Sequence, residues 1–105
     1  MNDSEQPLVR DNAPLSRFEV GVGIDMATLG YDLHDDGTID LVHTLVPQLL
    51  RGQGLGSRLV AGALASVRAR GLKVRPVCSM VSAYMSRHPE TLDLLAADAR
   101  AMVRG

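Results

Sequence analysis

The sequence predicts a mixed α/β domain: an antiparallel meander, then a β-loop-α-β unit, then C-terminal helices. Three observations point there. Residues 16–33 alternate apolar and polar side chains with the period of two that half-buried strands show, and Asp36-Gly37 follows as a hairpin signal. Gly52, Gly54 and Gly56 stand between an apolar strand and an amphipathic stretch. Beyond them Leu59, Val60, Ala63, Leu64 and Val67 recur at helical spacing, with Arg58, Ser66, Arg68 and Arg70 opposite.

The first 14 residues carry Asn, Asp, Ser, Glu and two prolines around a short apolar patch at Leu8-Val9, so a flexible tail with at most an edge strand is expected there, and a single domain over residues 15–105. Residues 16–22 place Phe18, Val20 and Val22 on one face of a strand. Gly23-Ile24-Asp25 turns the chain, and residues 26–33 form a second strand with Leu29, Tyr31 and Leu33 on one face. After the hairpin, residues 38–46 are apolar on both sides, Ile39, Leu41 and Leu45 against Val42 and Val46, which predicts a doubly buried strand in the middle of the sheet. Pro47 ends its pairing, and the helix that opens near Gly56 closes at Gly71 in a left-handed cap.

Residues 72–78 read as a strand, with Pro76 suggesting an edge or a bulge. The right-handed crossover rule makes this strand parallel to the one before the loop. Ser79 is the expected cap of a short helix that must end near His88, because Pro89 disfavours helical geometry in the residue before it. Pro89 then suits the first turn of a last helix, whose stripe of Leu92, Leu95, Ala96, Ala99, Met102 and Val103 runs towards Gly105.

Composition narrows the function. A chain of 105 residues suits one domain, which removes roughly two-thirds of its unfolded surface from water. A formal net charge of -1 with both signs interspersed offers no basic field for nucleic acid or anionic lipid. One cysteine excludes an internal disulfide and a Cys-rich metal site, and no metal site is expected. No apolar run approaches the roughly 20 residues a bilayer requires, so a soluble, cytoplasmic protein is expected.

The glycine turn is the strongest chemical signal. Alternate glycines permit positive φ and leave backbone N–H groups open to a ligand, while the following helix adds unpaired N–H groups and the positive end of its dipole. Such a turn holds a phosphate or pyrophosphate mainly by backbone. It is no Walker loop, since Gly56-Ser57-Arg58 lacks the lysine and the spacing. Nor is it a dinucleotide fingerprint, whose third glycine would fall at Ser57 and not at Gly56.

The pattern Arg51-x-x-Gly54-x-Gly56 between strand and helix resembles the acetyl-CoA loop of the GNAT superfamily of N-acetyltransferases, Q/R-x-x-G-x-G/A. Further residues in order, Asp11-Asn12, Ser16-Arg17-Phe18-Glu19, Asp36-Gly37, His43-Thr44, Gly71-Leu72-Lys73-Val74, Pro76-x-Cys78, Tyr84 and Arg87-His88-Pro89-Glu90, make it similar to the short single-domain YjdJ-type branch. The resemblance implies a cut-down acetyltransferase core that takes acetyl-CoA as acyl donor. Its pyrophosphate would rest on Arg51, Gly52, Gln53, Gly54, Leu55, Gly56 and Ser57, with the pantetheine arm along the backbone of Leu45 and Val46. Two positions depart from the branch pattern: Leu45 replaces an acid after His-Thr, and Thr91 replaces an aromatic after His-Pro-Glu. A base at position 45 is therefore not available to this chain.

Acetyl transfer to an amine needs a neutral nucleophile, a polarised thioester carbonyl and a proton for the departing thiolate. By analogy with the family, Tyr84 is a candidate proton donor, against the alternative of a core or surface tyrosine. His43 titrates near neutrality and is a candidate base, but it shares a predicted face with Leu41 and Leu45 and equally reads as a hydrogen-bonded core histidine. Cys78 is either a nucleophile, its thiolate favoured by a helix start or by His88, or packing. Arg87 and His88 either contact CoA or substrate, or finish a helix with favourable charge. The function expected is transfer of acetyl from acetyl-CoA to an unidentified small-molecule or protein amine. A non-catalytic acyl-CoA-binding module and a thiol acyltransferase working through Cys78 are the alternatives.

Overall fold

In the computed structural model, which describes residues 8–22 and 25–103, the meander and the crossover unit form one five-stranded sheet in the order β1-β2-β3-β4-β5. The strands are β1 (Arg10–Asn12), β2 (Arg17–Val22), β3 (Asp25–Leu33), β4 (Thr38–Leu45) and β5 (Lys73–Pro76). All neighbours are antiparallel except β4 and β5, which run parallel as a crossover through one helix requires. That helix, α1 (Leu55–Ala69), and the shorter α2 (Ser79–Arg87) lie against one face. The expected turn at Gly23 and Ile24, the first seven residues and the last two lie outside the described residues.

Local chemistry accounts for the joints. Gly37 adopts φ 87° in the β3–β4 hairpin, and Asp36 Oδ1 accepts from the Thr38 N–H at 3.1 Å and its hydroxyl at 2.6 Å. At the end of α1 the N–H of Leu72 reaches Val67 O at 3.0 Å and that of Gly71 reaches Arg68 O at 3.2 Å, the paired bonds of a Schellman cap. Phe18, Val20, Ala27, Leu29, Ile39 and Leu41 from the sheet pack against Leu59, Val60, Ala63, Leu64 and Val67 of α1 and Val81 and Met85 of α2. Each large aliphatic side chain so buried contributes about 1.5–3 kcal/mol.

The segment expected as a tail is fastened from residue 8 onward. β1 is the edge strand, Asp11 accepts the Tyr31 hydroxyl at 2.7 Å, and Val9 packs on the core. A Cβ built on Gly62 would stand 2.6 Å from Val9 Cβ, so the glycine in the middle of α1 is what admits this segment. Glu19 points away from the core yet is only 3% exposed, because Arg10, Asn12 and Arg17 fold over it at 2.8–3.0 Å.

Four expectations need correction. β4 occupies an interior position but is not doubly buried: Val42 is 37% and Leu45 53% exposed, because both helices cover the same face. Leu33 shares the sequence period of Leu29 and Tyr31 but is 47% exposed at the end of β3. The cap of α2 is Cys78, and Ser79 is its first helical residue. The single C-terminal helix is instead two 3-10 turns, Pro89–Leu94 and Ala97–Met102, separated by extended residues Leu95 and Ala96. β5 would otherwise leave an open edge, and the extended break covers it: Leu95 bridges Val74, and the Ala96 N–H reaches Val74 O at 2.9 Å. Arg68 grips Asp93 through two bonds of 2.9 Å and Arg75 holds Asp98 at 3.0 Å, tying both turns down.

Candidate functional site

A one-residue irregularity in β4 builds the site. Tyr31 pairs with Leu41 but its neighbour Gly30 pairs with His43, so Val42 has no opposite residue on β3. A one-residue slip exchanges the faces of everything beyond it. Thr44, opposite the buried Leu29, therefore turns to the helix side, while His43, opposite Gly30, is exposed on the open face. The core histidine expected from simple alternation is thus corrected.

The same place is where β4 and β5 part. Their pairing ends at Leu41 and Pro76, since proline offers no ladder donor, and the Cys78 N–H closes on Leu41 O at 2.9 Å before α2 begins. Thr44 Oγ1 and Cys78 Sγ then lie 3.1 Å apart. Burial pushes the Cys78 thiol up, but the Thr44 hydroxyl and backbone N–H groups of Val81 and Met80 outweigh it and hold the thiol below its ordinary range.

Beyond β4 the chain makes a 3-10 turn, Gln48–Leu50, and enters the glycine loop. Arg51 Nε donates to Val46 O at 3.2 Å and Gln53 Nε2 to Leu49 O at 3.4 Å, so the loop is braced by its own side chains. Gly52 and Gly54 take φ 83° and 76°, which side chains rarely adopt, and a Cβ at either would meet nothing within 4 Å. Gly54 is the N-cap of α1 without a side-chain hydrogen bond, and no acidic residue stands in the first turn. The N–H groups at the start of α1 therefore have no intrahelical acceptor and their dipole end has no countercharge.

These groups face a cleft of about 370 Å³ between the loop and α2. Val46, Leu50, Leu55 and Met80 give it apolar walls; Arg51 and Arg87 give it positive charge; Gly52, Gly54, Gly56 and Ser57 form its floor. An anion with an apolar arm matches that lining. A smaller hollow of about 220 Å³ beside β1 is lined by Arg10, Asp11, Asn12, Pro14 and Glu19, and its carboxylate already accepts three donors.

A sequence model of the GCN5-related N-acetyl-transferase family matches residues 17–94, from the start of β2 to the first C-terminal 3-10 turn. The chain belongs to this family. Among curated proteins it is similar to Protein NATD1 of Xenopus tropicalis, at 34% identity over 65 residues, 62% of this chain and 60% of that one. Protein NATD1 of Homo sapiens is likewise 34% identical over 65 residues, 62% of this chain and 58% of its own length. The chain thus matches about 60% of the length of these relatives. The NMR solution structure of a GCN5-like N-acetyltransferase candidate from Staphylococcus aureus aligns with a TM-score of 0.66 at 23% identity, covering 84% of this chain and 86% of that one, which shows a shared fold.

In this GCN5-related domain the residues singled out from sequence do not all meet in one place. Val46, Arg51, Gly52, Gly54, Leu55, Gly56, Ser57 and Arg87 line the cleft. Cys78 stands at the parting of β4 and β5, and Tyr84 stacks on His88 with ring centres 4.0 Å apart on α2 and its cap. Leu45 and His43 are on the exposed side, and Gln53 spends its amide within the loop. Sequence reasoning gave no role to Met80, a cleft wall, or to the Thr44 hydroxyl. Nothing in composition or period distinguishes Met80, and Thr44 reaches Cys78 only because of the slip at Val42. Among the described residues no group of three or more His, Cys, Asp or Glu is arranged to hold a metal ion, and no helix is long and apolar enough to cross a membrane.

Proposed function

We propose that the chain takes acetyl-CoA as donor in the loop–α2 cleft and transfers the acetyl group to an amine. The observation that carries this reading is the left-handed glycine turn, which leaves the uncapped start of α1 facing a cleft with both apolar and cationic walls. Pyrophosphate would lie on the N–H groups of residues 51–57 and the pantetheine arm against Val46. The thioester would then point towards the parting of β4 and β5, where Thr44 and Cys78 meet. Backbone donors at a helix start stabilise an oxyanion that develops beside them. The amine attacks the thioester carbon as its free base, the carbon–sulfur bond breaks, and CoA departs as a thiolate that needs a proton. Tyr84 remains the candidate donor, through rotation away from its stack on His88. A thermal-shift titration with acetyl-CoA, CoA, NAD and ATP tests the donor. A ligand at 100 times its dissociation constant stabilises by about 2.7 kcal/mol, so both CoA species should raise the melting temperature and NAD and ATP should not. Release of free thiol that depends on an added amine then separates an enzyme from a binding module.

A second reading rests on Cys78, which caps α2 beside Thr44 with its thiol held below the ordinary range. Its thiolate attacks the thioester carbon, CoA leaves as a thiolate, and the resulting Cys78 thioester is attacked by the amine, returning the Cys78 thiolate and releasing one proton. Intact mass after mixing with acetyl-CoA decides: an acetyl adduct lost in Cys78→Ser together with turnover supports the relay, whereas full turnover by Cys78→Ser returns the reaction to direct attack.

A further inference from the structure

Gly56 sits in the first turn of α1 with no positive φ, so its backbone does not call for glycine. Met80 does. A Cβ built on Gly56 would lie 2.7 Å from Met80 Sδ and 3.2 Å from its Cε, with Val46 Cγ2 next at 3.9 Å. The thioether therefore lies on the bare Cα of Gly56 and joins the first turn of α2 to the first turn of α1. Met80 is nevertheless 40% exposed, and what it exposes forms a wall of the cleft. An unbranched thioether adjusts its shape at little cost, unlike the leucine and valine around it.

We propose that Met80 is the adjustable wall that sets the width of the cleft, and that a side chain at position 56 would narrow the cleft by displacing Met80. The inference rests on the reading of the cleft as an acyl-CoA site, and the ligand segment concerned is the arm adjoining the pyrophosphate. A side chain at 56 would drive the thioether into the space the arm needs; removing the thioether would release that space.

Calorimetric titration of the full chain with CoA, in the wild type, Gly56→Ala, Met80→Ala and the double variant, tests the coupling. The expected result is a loss of about tenfold in affinity for Gly56→Ala and a double variant within about threefold of Met80→Ala. A double variant more than about threefold weaker than Met80→Ala, or a Gly56→Ala that binds like the wild type, overturns the proposal. Methyl-labelled methionine spectra give an independent readout. The Met80 resonance should move on addition of CoA and, without ligand, on Gly56→Ala, while that of Met102, which ends the second C-terminal 3-10 turn beside Ser82, Ala83 and Ser86 of α2, should stay. A stationary Met80 methyl in a wild type that binds CoA overturns this inference alone. A wild type that binds no CoA overturns the functional reading and this one with it.

Discussion

Residues 38–41 of β4 run between β3 and β5 and bury Ile39 and Leu41 completely, whereas in residues 42–45 only His43, Thr44 and Leu45 keep β3, β5 is lost, and Val42 and Leu45 are exposed. Both stretches are equally apolar in sequence. The difference comes from one unpaired residue, Val42, and one proline, Pro76: the first exchanges faces, the second removes the donor that would have continued the ladder. The paired half supplies stability. The half that parts from its neighbour supplies an opening at the sheet edge into which the helix starts of α1 and α2 and the glycine loop converge, which is where a ligand can meet backbone groups.

Substitution separates the halves most sharply at Leu41. Leu41→Ala should lower the unfolding free energy by about 2–5 kcal/mol in denaturant titrations, whereas Leu45→Ala on the same strand should change it by no more than about 0.5 kcal/mol. Equal losses would mean that the second half is packed like the first.

Acid should weaken the sheet through Glu19, which pairs opposite Thr28 on β3. Hydrogen bonds from Arg17 and then Asn12 outweigh its burial and hold its carboxyl below the ordinary value of 4.5. A carboxylate depressed in the folded state contributes its full stability above pH 4.5 and loses it as pH falls through the lower folded value. Urea unfolding at neutral pH and at pH values below 4.5 should show a steeper loss for the wild type than for Glu19→Gln. Parallel pH profiles would show that Glu19 carries no such linkage.

On the other side of the comparison, Gly54→Val should reduce acetyl-CoA affinity by about tenfold or more while the domain stays folded, because the side chain strains a φ of 76° and fills the approach to the loop. Unchanged affinity in a folded variant removes the loop from the site. A smaller effect is expected at Thr44: Thr44→Val should raise the Cys78 thiol and slow its alkylation near neutral pH about threefold, with Thr44→Ser close to the wild type. Equal rates in all three would separate the thiol from Thr44.

Much of the fold was legible in the sequence because local patterns agree with global ones. Asp36-Gly37, the period of two through Phe18 and Leu29, and the helical spacing from Leu59 to Val67 each specify one conformation, and the glycine loop announced the start of α1. What escaped depends on partners far apart in the chain. The slip at Val42 is set by pairing with Gly30 and Tyr31, so alternation alone put His43 in the core and said nothing of Thr44. The stripe from Leu92 to Val103 fits a helix, yet the bare edge of β5 pulls Leu95 and Ala96 into an extended bridge. Alternation puts Glu19 opposite Phe18 and Val20 on its strand, and its burial comes from Arg10 and Asn12 of β1 together with Arg17.

The most direct test of the account is an amide chemical-shift titration with acetyl-CoA. The N–H signals of residues 53–57, with those of Val46 and Met80, should move in a saturable way, while those of residues 38–41 stay where they are. Saturable shifts confined to the paired half of β4, or none in the loop at ligand concentrations well above micromolar, would contradict the assignment of the cleft as the acyl-donor site.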